Sequence, residues 1–197
     1  MSLYNVTKIL ADFVVETEFK DLPSDVVNQT KLCVLDFIGC ALGGSREKEI
    51  EILANLAKEM GGTEESTVIG YDFKAPAMNA GFVNGAMGHA LQIDDGDRFT
   101  LAHLGTEVIS AALAISEVEK AGGKDFITAI ALGYEVAMRI GYAVLPSHHH
   151  RGFCPNSTLG VFGAAVAAGK ILGLNSQEMA DAIGSAGTQA SGLEEFV

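Results

Sequence analysis

Residues 76–106 read PAMNAGFVNGAMGHALQIDDGDRFTLAHLGT, and this run decides how the chain folds. Pro76 suits the first turn of a helix, and Ala77, Met78, Ala80, Phe82, Val83, Ala86 and Met87 follow at helical spacing. Gly81, Gly85 and Gly88 interrupt that helix. Each costs about 1 kcal/mol relative to alanine, so their presence predicts close approach of another backbone or a ligand. From His89 to Gly105 the apolar pattern gives way to three aspartates, an arginine and two histidines, and Thr106 then opens another helix. A polar loop held between two apolar helices is where chemistry is expected to sit.

Reading outward from this run, helices follow one another in both directions. Val6, Ile9, Leu10, Phe13 and Val14 mark one apolar face before Pro23. Ser24 is placed to cap a second helix that becomes apolar almost all round toward Gly43 and Gly44, which predicts a central, buried element. A third runs from about Arg46 to Met60, and Ser66 to Tyr71 reads as an extended connector. Beyond the polar loop, helices are expected over 106–121, from Asp125 to Pro146, over about 157–172, and from a cap at Ser176. Between the second and third of these helices a second loop, SHHHRGFCP, occupies 147–155. The fold class is therefore all-α, a multi-helix array forming one domain over 1–197.

Composition narrows the function. Apolar residues make up 48% and charged residues 19%, which is the balance of a folded globular chain. A formal net charge of -12 lacks the clustered Lys and Arg that a phosphate backbone demands, so no nucleic acid partner is expected. Gly, charged and polar residues break the apolar runs, and the N-terminus lacks a basic-then-apolar leader; a cytoplasmic protein with no membrane partner is the expectation. Cys33 and Cys40 lie seven residues apart on one helix, about 10 Å along its axis, and cannot bridge there.

The candidate chemistry lies in the two loops. Asp94 and Asp95, with Asp97 nearby, follow a helix C-terminus, where the macrodipole disfavours negative charge. That suits a raised carboxyl pKa and proton transfer, or a neighbouring cation such as Arg98; Asx turns are the plain alternative. His103 precedes a helix N-terminus, where it could donate to a carboxylate or move a proton, or simply lead the chain into the helix. His89 reads as a packing or hydrogen-bonding residue. Three adjacent histidines, His148 to His150, point apart and lack a metal-ligand spacing, so no metal is expected. No Asp or Glu falls between Val136 and Gln177, whereas Arg139, Arg151 and Lys170 do, a balance that favours a small polyanion. Arg139 itself is spaced to pair with Glu135.

The runs GFVNGAMGHALQIDD, PSHHHRGFCP and GVFGAAVAAGKILGL, with His103 between the first two, resemble the MmgE/PrpD family. That family includes 2-methylcitrate dehydratases, cis-aconitate decarboxylases and iminodisuccinate epimerases. The resemblance implies an all-helical domain, joined in complete members by an α+β lid and usually assembled as a homodimer. It also implies a cofactor-independent lyase or isomerase, dehydratase-like, acting on a small polycarboxylate such as 2-methylcitrate. Under it, His103, Asp94, Asp95 and Cys154 are the catalytic candidates, and Gln92, Arg98, His148 and Arg151 the substrate-binding ones. Two positions depart from the family pattern. Gln92 stands where an acid is usual, and Cys154 where a histidine is usual between Phe and Pro. Glutamine cannot exchange a proton as a carboxylate does, and a thiol ordinarily titrates above an imidazole. The chain is also less than half the length of complete members and lacks the lid. The expectation is thus the incomplete helical domain of such an enzyme, with the activity of so short a chain left open, and the alternative is a non-catalytic helical module that self-associates or binds a carboxylate.

Overall fold

The computed structural model describes residues 6–194. Among them are nine helices: α1 (Val6–Glu16), α2 (Ser24–Gly44), α3 (Lys48–Met60), α4 (Ala77–His89), α5 (Gly105–Glu119), α6 (Gly123–Val144), α7 (Ser147–His150), α8 (Pro155–Ile171) and α9 (Ser176–Gln189). The all-α expectation holds. The extended connector is more than a spacer, because Ser66–Thr67 pairs antiparallel with Lys74–Ala75. Ser66 donates from its hydroxyl to the Ala114 carbonyl, pinning this small ribbon to α5.

Helices α5, α6 and α8 pack against one another around Val108, Ile109, Ile130, Ala137, Leu159 and Ala167. Small residues make that packing close. A Cβ added at Gly133 of α6 would stand 2.8 Å from the Gly163 carbonyl oxygen of α8, so the two backbones touch where side chains would normally separate them. The glycines of α4 act similarly. A Cβ at Gly85 would meet the Thr106 carbonyl of α5 at 3.0 Å, and one at Gly88 would meet the Phe37 ring of α2 at 2.6 Å. Backbone approach, as expected, explains Gly85; Gly88 makes room for an aromatic ring.

Two sequence expectations are corrected here. Helix α2 is not a central buried element. Phe37, Cys40, Ala41 and Gly44 turn inward, but Leu32 and Leu35 are 58% and 67% exposed and Leu42 is exposed as well. An apolar composition all round said that both faces avoid water; it did not say that this chain covers both. Length and composition also make α2 and α6 long and apolar enough to cross a membrane, despite the polar interruptions. Half of that α6 stretch is buried among its neighbours, as in a core helix. At α9 the cap is Asn175, not Ser176: its side chain accepts from the Gln177 and Glu178 amides, and Glu178 reaches back to the Asn175 amide.

Candidate active site

The loop between α4 and α5 is folded back on itself by its own polar groups. The Asp97 amide donates to the Ala102 carbonyl, and its carboxylate accepts from the Thr100 amide at 2.8 Å, so Asp97 forms a turn. Gln92 and Leu101 hold φ values of 51° and 54°, a left-handed conformation that side-chain-bearing residues adopt at a cost of about 1–3 kcal/mol. The adjacent aspartates have separate jobs. Asp95 donates its amide to Asp36 of α2 and accepts from the Tyr134 hydroxyl of α6 at 2.9 Å, which anchors the loop on the helix bundle. Burial pushes the carboxyl of Asp95 up, and burial likewise pushes the Tyr134 phenol up.

Asp94 is buried and faces two imidazoles. Its carboxylate oxygens lie 3.0 and 3.1 Å from Nδ1 of His89, and one lies 3.4 Å from Nδ1 of His103. His103 Nδ1 is also 3.2 Å from the Asp94 carbonyl oxygen. A carbonyl oxygen and a carboxylate accept, so both Nδ1 atoms donate to Asp94 and each ring leaves Nε2 for another partner. The hydrogen bond His89 donates to Asp94 raises the pKa of His89 above its ordinary value. The ring centroids are 5.2 Å apart. His89, Asp94 and His103 are also the one group, among the described residues, whose ligand atoms all lie within 4.8 Å as a metal site would need. The shared hydrogen bonds to Asp94 account for that closeness without an ion.

In front of this cluster opens a cavity of about 820 Å³, whose wall includes His89, Gln92, His103, Glu107, Cys154 and Asn156. The first turns of α5 and α8 both contribute to it, through Thr106 and Glu107 and through Pro155, Asn156 and Ser157. Unpaired amides and the positive end of the helix dipole favour carboxylates at such places. Asn156 joins the two loops by accepting from the His103 amide at 2.7 Å.

Of the residues singled out in the sequence, Gln92, His103 and Cys154 line this cavity, and Asp94 contacts two of its lining residues, His89 and His103. Asp95, Arg98, His148 and Arg151 are outside its lining. Arg98 lies over the Phe99 ring, 4.9 Å from its centre, so it is not the cation that answers the aspartates. His148 bonds the Thr158 hydroxyl at 2.7 Å and stacks on Phe153; its neighbour His149 is the histidine of that trio in the cavity wall. Arg139 pairs with Glu135, as its spacing indicated.

Two wall residues were not among the site candidates. His89, read as a packing or hydrogen-bonding residue, does bond Asp94, but the step between them crosses a helix end, where periodicity gives no sign that His89 also faces the cavity. Glu107 was not singled out in the sequence, although it follows His103 by four residues at the entry to α5, which was the available signal. Its Oε2 accepts from the Thr106 hydroxyl at 2.8 Å, and burial pushes its carboxyl up to about 7.

Residues 8–197 match the model of the MmgE/PrpD N-terminal domain. The chain belongs to the MmgE/PrpD family. Among curated MmgE/PrpD relatives, it is 36% identical to the cis-aconitate decarboxylase of Aspergillus terreus over 88% of this chain and 36% of that protein. It is 32% identical to the cis-aconitate decarboxylase-like protein oryM of Aspergillus oryzae, over 96% of this chain and 41% of the relative. The human cis-aconitate decarboxylase is 29% identical over 96% of this chain and 40% of its own length. This MmgE/PrpD chain thus spans about two fifths of the length of the relatives it matches.

Proposed function

We propose that this chain is the helical part of a cofactor-independent lyase acting on a small polycarboxylate. Decarboxylation of a cis-aconitate-type substrate is the first reaction to test, and dehydration of 2-methylcitrate the second. The observation that carries this reading is Asp94 holding Nδ1 of His89 through its carboxylate and Nδ1 of His103 through its carbonyl, beside a cavity that two helix N-termini help to line. Such rings offer Nε2 for proton transfer or, when protonated, for a substrate carboxylate. The helix starts supply fixed donors for the charge that builds up when a bond beside a carboxylate breaks. Exposed apolar side chains on α2 and α3, among them Leu32, Leu35, Ile52 and Leu56, support self-association as a homodimer, which light scattering would report.

The test is turnover of cis-aconitate, 2-methylcitrate and iminodisuccinate by the natural gene product, with His103→Ala beside it. Turnover that falls at least about 100-fold in the variant is expected, and activity unchanged by it would remove His103 from the mechanism. A second reading, a carboxylate-binding module without turnover, is favoured by Gln92 and Cys154 at two wall positions. Calorimetry with di- and tricarboxylates separates the two: binding with no turnover of any of the three substrates supports the module.

A further inference from the structure

Glu107 is the cavity residue whose surroundings are built for an acid that keeps its proton. It sits in the first turn of α5, and its carboxyl borders both the polar cavity and an adjoining apolar groove lined by Met78, Phe82, Ile115 and Val161. Gly160 of α8 leaves the space it fills: a Cβ there would stand 2.6 Å from the Glu107 carboxyl carbon. No Lys or Arg forms an ion pair with it among the described residues. The charged groups that weigh on it are His89 of α4, which draws its pKa down, and Asp94, which pushes it up, with burial the largest influence. The cavity is also lined by His103, His149, Cys154 and Glu194, while Asn156 and Ser157 of α8 do not titrate. Asp36 and Tyr134, on α2 and α6, turn to Asp95 instead.

We infer that Glu107 is a catalytic acid of this cavity, giving its proton to the substrate carbon that loses carbon dioxide. This rests on the lyase reading above. In the step, the bond between that carbon and a departing carboxylate breaks, and carbon dioxide leaves without the bonding pair. The pair stays on the carbon, spread into the neighbouring unsaturated carboxylate, and the Glu107 O–H proton forms the new C–H bond. Glu107, now a carboxylate, takes a proton from water before the next turnover. A neutral Glu107 also spares a polyanionic substrate the repulsion that an ionised one would exert. The amide of Gln92 has no proton to give in this way, so an acid on the rigid helix answers the one missing from the loop.

The experiment compares wild type, Glu107→Gln and Glu107→Asp of the natural gene product on cis-aconitate across pH 5.5 to 9. In Glu107→Gln, kcat is expected to fall about 100-fold or more with KM little changed. The wild-type loss of kcat on the alkaline side is expected to vanish in Glu107→Gln, because the group that must stay protonated is gone. Glu107→Asp keeps an acid one methylene short, so an alkaline limb persists at a shifted pH with reduced kcat. Glu107→Gln with wild-type kcat and alkaline limb would overturn the inference while leaving the lyase reading intact. Should that variant fail to fold, Glu107→Asp with unchanged kcat and an unmoved limb overturns it equally. A wild-type protein inactive on all three substrates named above overturns the lyase reading, and this inference with it.

Discussion

Replacing Glu107 by glutamine should make the folded protein more stable at alkaline pH and leave it nearly unchanged in acid. The carboxyl titrates near 4.5 in an unfolded chain and is pushed up to about 7 by burial in the fold. Below pH 4.5 both states hold the proton and the position costs nothing through ionisation. Between pH 4.5 and 7 the unfolded chain releases its proton while the folded one retains it, so stability falls as pH rises. Above pH 7 both are ionised, and the accumulated loss reaches at most about 3 kcal/mol. Glutamine has nearly the same shape and no such titration. Urea unfolding of both proteins at pH 4.5, 6 and 8.5 would measure it, because other titrating groups largely cancel in the difference between the two. The difference should shift in favour of Glu107→Gln by up to about 3 kcal/mol from the lowest to the highest pH. A difference that stays constant across this range would refute the reasoning, since it would mean that the fold does not resist ionising this carboxyl.

Three further outcomes follow from the same geometry. Asp94→Asn removes the charge that both imidazoles share, so the pKa of His89 should move down, read by NMR titration of its ring, and kcat should drop about 100-fold or more. A His89 that titrates unchanged would show that Asp94 does not govern it. Gly133→Ala would set a methyl 2.8 Å from the Gly163 carbonyl and from a Val108 methyl, prising α6 from α8 at a cost of about 1–3 kcal/mol in denaturant unfolding. Wild-type stability in that variant would mean the two helices part easily. Exhaustive dialysis against a chelator should leave turnover intact, because the proposed proton transfers are carried by side chains of this chain. Activity lost on dialysis and restored by a divalent cation would contradict this.

Much of the architecture was legible because helical periodicity and glycine or proline punctuation are local signals. Pro76, Gly122 and Pro146 stand at or beside helix boundaries that the structure confirms. What periodicity could not supply was which apolar faces meet. Helix α2 has the composition of a core helix, yet Leu32 and Leu35 face outward, because burial depends on partners and not on composition. The polar loop was also legible as a cluster but not as a geometry. Asp94 and Asp95 are neighbours in sequence and point to different partners, one to His89 and His103, the other to Asp36 and Tyr134. Local spacing distinguishes neither, since both sit outside any regular element. Arg98 shows the converse: chemically suited to the aspartates, it turns to Phe99, a neighbour that spacing alone would not have ranked above a carboxylate.

The positions that depart from the family pattern and the acid of the α5 first turn line one cavity, and on the lyase reading they explain each other. Gln92 rests in a left-handed turn of a loop, its amide bonded to the His89 carbonyl, and its side chain faces the cavity without a titrating group. Glu107 faces the same cavity from the first turn of a helix that packs against α4, α6 and α8. A proton donor must hold its position to within a few tenths of an ångström of the reacting atom, and a helix braced on three sides does that better than a loop residue in a costly conformation. The space that Gly160 leaves for the Glu107 carboxyl is the complementary half of this arrangement, because any larger residue there would displace it. Glu107 and Gly160 therefore form a pair. Gly160→Ala should disturb the acid as surely as a change at Glu107 itself, and a Gly160→Ala enzyme with an unaltered pH profile would argue that the carboxyl is placed by something else.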